Sequence, residues 1–307
     1  MDRFYDKELA AERLEELASQ RRQVLSVRVN SSAIHMADME ASLHLHKCEF
    51  NEDNVSDEMV AHVQGVLTKN NLVPKNTRLC PSHKAAFLSQ SAEISGLNTM
   101  TFAEAMGNLS IIGQKFGEHL PGVDVTNGDG FSGLSTTFSA SNRIFTSRGE
   151  APHEQDNAFH EGLDPLGHMA KLKNGELIHA PENMVKYYKR IQRKGTNCFG
   201  YEEHLPGGFK IGDIVEMQVS FVAIASGHSK VKVTSRLQAM TLLDHTFAKD
   251  AATERRAVLT AYVPSPAVRR KVGYFPEDDD DERKFKKSKS QTGGNGDQGA
   301  EDGSGDS

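Results

Sequence analysis

A basic and aromatic stretch, KYYKRIQRK at residues 186–194, contains the residue types that bind nucleic acid. Aromatic rings stack on unpaired bases, while Lys and Arg neutralise phosphates. More cations follow on a strand-like segment, where the alternative role of Lys and Arg is to protect a sheet edge against aggregation. The sequence predicts a nucleic-acid surface formed by Lys186, Tyr187, Tyr188, Lys189, Arg190, Arg193, Lys194, Lys230, Lys232 and Arg236.

A second set of residues has the types that bind zinc. The segments HLHKC at 44–48 and CPSH at 80–83 place imidazoles and thiols in two short-spaced groups, as tetrahedral zinc sites do. Neither segment has two Cys separated by two to four residues, so a surface strand with ordinary histidines and free thiols is the alternative. The predicted zinc ligands are His46, Cys48, Cys80 and His83.

Other motifs do not indicate catalysis. Three histidines, His153, His160 and His168, lie among carboxylates in a segment of turn-forming composition, which favours polar loop residues over a metal site. GDGFSG at 128–133 lacks the strand before it and the helix after it that a dinucleotide site requires. The sequence contains no GxxxxGK[ST], GxSxG or HExxH motif. We therefore expect no catalytic residues, and no cofactor other than zinc.

A long hairpin is the clearest element that could position the basic residues. Apolar residues occupy odd positions on both of its strands, and a loop at 227–229 aligns them. The predicted pairs are Ala225 with Val231, Ala223 with Val233, Val219 with Leu237 and Met217 with Ala239. All odd-numbered side chains from 215 to 243 are then expected to face inward, leaving their neighbours for a ligand.

The N-terminal part has the spacing of helices. Apolar residues recur every three or four positions in 5–29 and 57–74, and a third helix is expected from Ser82. Thr101 and Glu104 have the spacing of a capping box that begins a fourth. Residues 121–157 are rich in Gly, Ser, Thr, Asn and Asp, which is typical of a linker or long surface loop. Strand-like runs follow at 176–180, 184–191, 214–225, 231–243 and 257–263, with a helix at 245–257 before the last.

These patterns predict an α+β fold. Its parts are a helical region at 1–120, a linker or loop at 121–157, a β-rich domain at 158–275 and a disordered charged tail at 276–307. The β-rich domain is expected to be a small antiparallel sheet or a partly open barrel. The order of its strand-like runs fits the five-strand OB-fold poorly.

Three blocks of the C-terminal half resemble a known family. These are DPLGHMAKLKNGELIHAPENMVKYYKRI at 164–191, GGFKIGDIVEMQVSFVAI at 207–224 and LQAMTLLD at 237–244. They are similar to an uncharacterised, many-copy protein family of mushroom-forming fungi. The resemblance implies a fungal protein and no particular chemistry, because that family has no assigned activity.

Charge and cysteine content restrict the cellular location. The formal net charge is −6, of which −5 falls in residues 277–307, so the remainder of the chain is nearly neutral and an anion would bind to a local patch. Three Cys and no apolar leader favour the nucleus or cytoplasm over secretion and a membrane. A basic cluster in the tail fits an importin-type nuclear address, Arg283, Lys284, Lys286, Lys287 and Lys289.

The sequence as a whole favours a non-enzymatic binding protein that uses the basic and aromatic face of its β-rich domain for nucleic acid. One alternative is a protein-interaction or assembly module. The other is a zinc protein or metalloenzyme that uses Cys48, Cys80 and His83.

Overall fold

The structure, a computed structural model, describes residues 1–20, 34–39, 42–47, 57–73, 82–120, 124–127, 136–193, 195, 198–225 and 230–261. The helices are α1 Lys7–Gln20, α2 Met100–His119, α3 His168–Leu172 and α4 Thr246–Ala261. The strands are β1 Ile34–Met39, β2 Ser42–Lys47, β3 Asp57–Glu58, β4 Ala61–Asn71, β5 Ser89–Ser95, β6 Asp124–Asn127, β7 Thr137–Arg143, β8 Thr146–Ser147, β9 Leu177–Ile178, β10 Lys186–Gln192, β11 Phe199–Glu203, β12 Ile214–Ala225 and β13 Lys230–Asp244.

Eleven of these strands form one mixed sheet, in the order β1-β2-β12-β4-β5-β7-β13-β10-β11, with β3 beside β2 and β6 beside β13. Because β12 also pairs with β13, the strands β12, β4, β5, β7 and β13 close a ring. Ring neighbours are antiparallel except β7 and β13, which meet at one parallel pair, Arg236 with Ser141. Five strands connected in this Greek-key order resemble an OB-fold barrel, which the strand-like runs of the sequence did not indicate.

The β12–β13 hairpin has most of the predicted register. Three of the four predicted pairs are confirmed, Ala225 with Val231, Ala223 with Val233 and Val219 with Leu237. The fourth is wrong, since Met217 pairs with Met240 and a bulge lies at Gln238. One extra residue turns the following side chains to the opposite face, here as far as a second register shift at Leu243. The even-numbered Met240 and Leu242 therefore pack in the core, where odd-numbered residues were expected.

A helical N-terminal region was the wrong prediction, because the described part of residues 57–95 is mainly strand. The valines expected to form a helical stripe lie on β4, which is covered on both faces. Val63 and Leu67 pack in the main core, whereas Val66 packs against α1 with Leu14 and Leu17. A strand buried on both sides has an almost continuous apolar sequence, and its spacing also fits a helix.

The predicted linker is also corrected, because it contains the ring strand β7. Met1–Thr260 form one compact unit. Phe138 and Ala140 of β7 are buried, while Ser139 and Ser141 alternate with them on the outer face. The short hydroxyl side chains of that outer face gave the segment the composition of a loop.

The predicted helices agree with the structure in part. Helix α1 confirms the first prediction as far as Gln20. Helix α2 is present, but its N-cap is Thr99, whose side chain makes no capping bond, and the amide of Thr101 donates instead to Glu15 of α1 (3.3 Å). The run at 257–263, expected as a strand, belongs to α4 as far as Ala261. None of the helices in the described part of the chain is long and apolar enough to cross a membrane.

Candidate nucleic-acid interface

The β10–β11 hairpin presents one face with aromatic and cationic side chains. The strands pair Tyr188 with Glu203 and Arg190 with Tyr201. Paired residues share a face, and every second residue of a strand returns to that face. Four side chains therefore lie together, and we call them the aromatic platform: Tyr188, Arg190, Phe199 and Tyr201.

The platform has the geometry of a stacking surface. The guanidinium carbon of Arg190 lies 3.5 Å from the ring centre of Phe199, a close cation–π contact. Phe199 and Tyr201 are 45% and 47% exposed, so much of each ring is accessible. Nη2 of Arg190 donates to Oε1 of Gln20 at the end of α1 (3.2 Å), and this bond fixes the guanidinium in place.

Further cations surround the platform. Lys186 is exposed and lies two residues before Tyr188 on β10, so it points to the platform face. Lys189 and Arg193 are exposed and project to the opposite face of the hairpin. Arg193 lies over Gly200, where a Cβ atom would come within 3.1 Å of its Nε. Both faces of the hairpin thus carry positive charge beside the exposed rings.

Tyr187, predicted for the same surface, lies in the core instead. It is 5% exposed, and its hydroxyl donates to Oε1 of Gln90 at 2.5 Å. Neighbouring residues of a strand point to opposite faces, so Tyr187 is directed inward wherever Tyr188 is directed outward. The sequence contains no signal in the stretch KYYKR that shows which of the two rings is buried.

Tyr187 belongs to a set of hydrogen-bonded side chains that we call the buried polar network: Gln90, Asn142, Thr146, Asn183 and Tyr187. Asn183 Oδ1 accepts from the Thr146 hydroxyl (3.1 Å) and from the amide of Ala180 (2.9 Å). Asn142 Nδ2 donates to the carbonyl of Leu237 on β13 (3.1 Å). These bonds connect β7 to β13 and hold the segment that contains Asn183 against β8.

The predicted cations of β13 do not join the platform. Arg236 forms an ion pair with Glu182 (2.8 Å), next to the buried polar network. Lys232 is exposed but pairs with β6, whereas Lys186 lies opposite Ala239. Seven residues of strand separate those two levels, roughly 20 Å. Lys230 lies beyond Lys232, and Lys194 lies outside the described residues.

The outer face of ring strands β5 and β7 offers no second stacking surface. In OB-folds the second and third strands form the ligand face. Here that face pairs Ser91 with Ser141 and Glu93 with Ser139, so it is lined mainly by short hydroxyl side chains. Phe199 and Tyr201 were not predicted as rings that stack on bases. They follow the basic stretch in sequence, and only the pairing of β10 with β11 brings them beside Arg190.

The predicted zinc ligands cannot be placed. Cys48 and Cys80 lie outside the described residues, and for His46 and His83 the backbone alone is described. Among the side chains that are described, no group of three or more His, Cys, Asp or Glu could hold a metal ion. The zinc site therefore stays a prediction. The nuclear-address cluster at 283–289 also lies outside the described residues.

The histidine-rich loop is used for structure. Asp164 accepts a hydrogen bond from the amide of Ala170 (2.9 Å) and so stabilises the first turn of α3. Asp156 pairs with Lys173 (2.6 Å). His153 and His160 are exposed, and His160 Nδ1 accepts the amide of Gly162 (3.2 Å).

An unpredicted carboxylate–imidazole pair lies where the two strands of the long hairpin meet α4. The fully buried Asp213 accepts a hydrogen bond at Oδ1 from Nδ1 of His245 (2.5 Å). The other oxygen accepts the amide of Lys210 (2.7 Å). The pKa of Asp213 is raised above its ordinary value, because burial outweighs the opposing effect of these two donors. In the observed register Ile214 pairs with Asp244, so Asp213 and His245 lie just beyond these paired ends. The predicted register pairs residue 213 with residue 243 and would not have brought Asp213 and His245 together.

Comparisons with known proteins do not identify a family. No protein-family model matches the sequence, and none of the curated proteins matches it either. The resemblance of the C-terminal half to a fungal family therefore stays a prediction.

Proposed function

We propose that the protein binds single-stranded nucleic acid on the aromatic platform. The observation that carries this proposal is the Arg190–Phe199 stack beside a second exposed ring, Tyr201. A base can stack on the accessible part of each ring, because every base has a π-face. Such stacking requires bases that are not already stacked in a duplex, so the expected ligand is a single strand.

The local charge supports a polyanion as the ligand. Lys186, Lys189 and Arg193 are exposed around the rings. Two carboxylates, Glu202 and Glu203, lie on β11 and reduce the positive charge on that side. Phosphates are therefore expected to run along β10, and bases to extend towards β11. A few phosphate contacts of this kind give modest affinity with a measurable salt dependence.

The test is a titration of fluorescently labelled twelve-nucleotide DNA and RNA single strands with the full-length protein, followed by anisotropy. With two to four phosphates neutralised, the logarithm of the binding constant should fall against the logarithm of salt concentration with a slope of about −1.4 to −2.8. A duplex of the same sequence should bind more weakly than the single strand. Absence of binding at 50 mM salt, where the Debye length exceeds the value of about 10 Å that holds at 0.1 M, would overturn the proposal.

A pair of lysine variants locates the site. Lys186→Gln removes a charge beside the platform, so affinity and salt slope should both decrease. Lys232→Gln removes an equally exposed charge roughly 20 Å away along the sheet, so both quantities should remain unchanged. An equal effect of the two variants, or binding that does not depend on salt, would contradict the platform as the binding site. A protein-interaction module would be favoured if no single strand binds.

The proposed place of action is the nucleus. The basic cluster that contains Lys286 and Lys287 has the composition that importin-type receptors recognise. A fluorescent fusion of the full chain should accumulate in nuclei, and replacing both lysines by Ala should distribute it through the cell. Equal nuclear accumulation of the two fusions would contradict this proposal without affecting the one for binding.

A further inference from the structure

The Asp213–His245 pair fixes the chemical form of an imidazole at the protein surface. Nδ1 of His245 lies 2.5 Å from Oδ1 of Asp213. Because an ionised carboxylate can only accept, this contact assigns the proton of the neutral imidazole to Nδ1 and the lone pair to Nε2. The side chain of His245 is 42% exposed, whereas that of Asp213 has no exposure at all. A buried carboxylate that orients an accessible imidazole is the arrangement that general bases use.

The surroundings of the pair hold the carboxylate in place. Asp213 ends a tight turn, in which its amide donates to the carbonyl of Lys210 (3.0 Å). Gly212 of this turn has a φ of +97°, and its carbonyl accepts the hydroxyl of Tyr5 (2.8 Å). The pKa of Tyr5 is raised by burial and by nearby carboxylates, including Asp213 and Asp244, so the phenol stays protonated and keeps donating this bond.

The pair lies beside the hairpin that carries the aromatic platform. Lys189 is opposite Leu242 in the parallel register, so His245 follows three residues later, about 10 Å along the strand direction. The pKa of His204, at the end of β11, is lowered by burial and by the charges of Lys189 and His245, and Asp213 opposes this shift. These groups therefore lie close together next to β10.

We propose that His245 is a general base that cleaves RNA bound on the aromatic platform, with Asp213 as its positioning residue. This inference rests on the proposed function. Nε2 of His245 takes the proton of a 2′-hydroxyl, and the 2′-oxygen forms a bond to the adjacent phosphorus. The bond from phosphorus to the 5′-oxygen breaks, the 5′-oxygen takes a proton from water, and the imidazolium returns its proton to solvent. The products are a 2′,3′-cyclic phosphate and a 5′-hydroxyl.

The experiment incubates the full-length protein with a labelled twelve-nucleotide RNA in EDTA, beside DNA and 2′-O-methyl RNA of the same sequence. We expect slow cleavage of the RNA alone, with a cyclic phosphate end identified by mass spectrometry. His245→Gln should reduce the rate at least about 100-fold, because proton transfer by a positioned side chain contributes that much or more. Binding to the platform should remain, since His245 is not part of it.

Two further variants separate catalysis from folding. Asp213→Asn should lower kcat for RNA cleavage and leave KM unchanged, because the imidazole loses the acceptor that orients it. A purely structural role would not separate kcat from KM in this way. His153→Gln, purified in parallel, should keep the rate of the wild type, since His153 is an exposed loop residue outside both the Asp213–His245 pair and the platform. Binding without cleavage, or equal cleavage by His245→Gln, would overturn this inference while leaving the proposed function intact.

Discussion

Two regions that meet on strand β10 use similar residue types in opposite ways. The buried polar network encloses its hydroxyls and amides and satisfies them with partners, as Tyr187 does with Gln90. The aromatic platform keeps large rings at the surface, with Phe199 stacked on Arg190 and still 45% exposed. The buried polar network therefore stabilises the ring of strands. The aromatic platform leaves apolar surface exposed to water, where a ligand can reach it.

The adjacent residues Tyr187 and Tyr188 show how this difference arises. A strand sends neighbouring side chains to opposite faces, and the two faces of β10 border different environments. Variants of the network should therefore change stability without changing binding, and variants of the platform should do the reverse.

The largest effect is expected for Asn183→Ala in the network. The change leaves the amide of Ala180 without its acceptor and removes one of the two acceptors of the Thr146 hydroxyl, which keeps Glu182. One unsatisfied buried amide and one lost hydrogen bond should together cost about 2–4 kcal/mol in the free energy of unfolding. Urea denaturation measures this, and nucleic-acid affinity of the folded variant should be unchanged. The control Asn108→Ala on helix α2 should be neutral or slightly stabilising, because Ala favours a helix. A loss below about 0.5 kcal/mol for Asn183→Ala would show that the network does not support the fold.

The next effect is expected on the platform. Phe199→Ala should weaken single-strand binding about 5- to 150-fold, corresponding to about 1–3 kcal/mol for a lost base stack, with an unchanged denaturation midpoint. Phe87→Ala is the control, because Phe87 is 80% exposed elsewhere on the surface and its removal should leave binding unaltered. If Phe199→Ala unfolds the protein, the ring serves the fold and the contrast between the two regions fails.

The two tyrosines of β10 make a direct test at adjacent positions. Tyr187→Phe leaves Oε1 of Gln90 without its donor in the interior and should cost about 1–2 kcal/mol of stability. Tyr188→Phe should cost less than about 0.5 kcal/mol, because a half-buried hydroxyl can be replaced by water. Equal losses measured by thermal denaturation would contradict the assignment of the two faces.

Lowering the pH should destabilise the region around the buried polar network before it affects the platform. Burial lowers the pKa of His179, which packs on Phe159 with ring centres 4.3 Å apart beside the segment that the network anchors. Its contribution to stability is fully present above the unfolded value of about 6.5 and is lost as pH falls through the lower folded pKa. The unfolding free energy of the wild type should therefore decrease as the pH falls below about 6.5, and His179→Gln should show a smaller decrease over the same pH range.

The smallest effect is expected for Arg236→Gln. This variant breaks the ion pair with Glu182, whose side chain is 44% exposed, so the loss of stability should be below about 1 kcal/mol. The salt slope of nucleic-acid binding should stay unchanged, in contrast to Lys186→Gln. A reduced salt slope for Arg236→Gln would show that Arg236 does belong to the binding surface.

The long hairpin shows how far the sequence could predict the fold. Strict alternation around a short loop determined β12, β13 and three of four predicted pairs. The bulge at Gln238 could not be anticipated, because apolar residues occupy both odd and even positions from Ala239 to Leu243 and therefore fit either facing. The ring strand β7 was missed for a different reason, since Ser139 and Ser141 on its outer face resemble loop residues.

The sequence by itself determined the local periodicities of this protein: a hairpin with one apolar face, helix α1, and a basic stretch that contains two tyrosines. Tertiary structure decided which ring of that stretch is buried, which cations are paired and which distant residues meet. The physical reason is that periodicity is a property of neighbours along the chain, whereas burial depends on the element that packs against each face. Asp213 and His245 became partners only when the two ends of the hairpin came together.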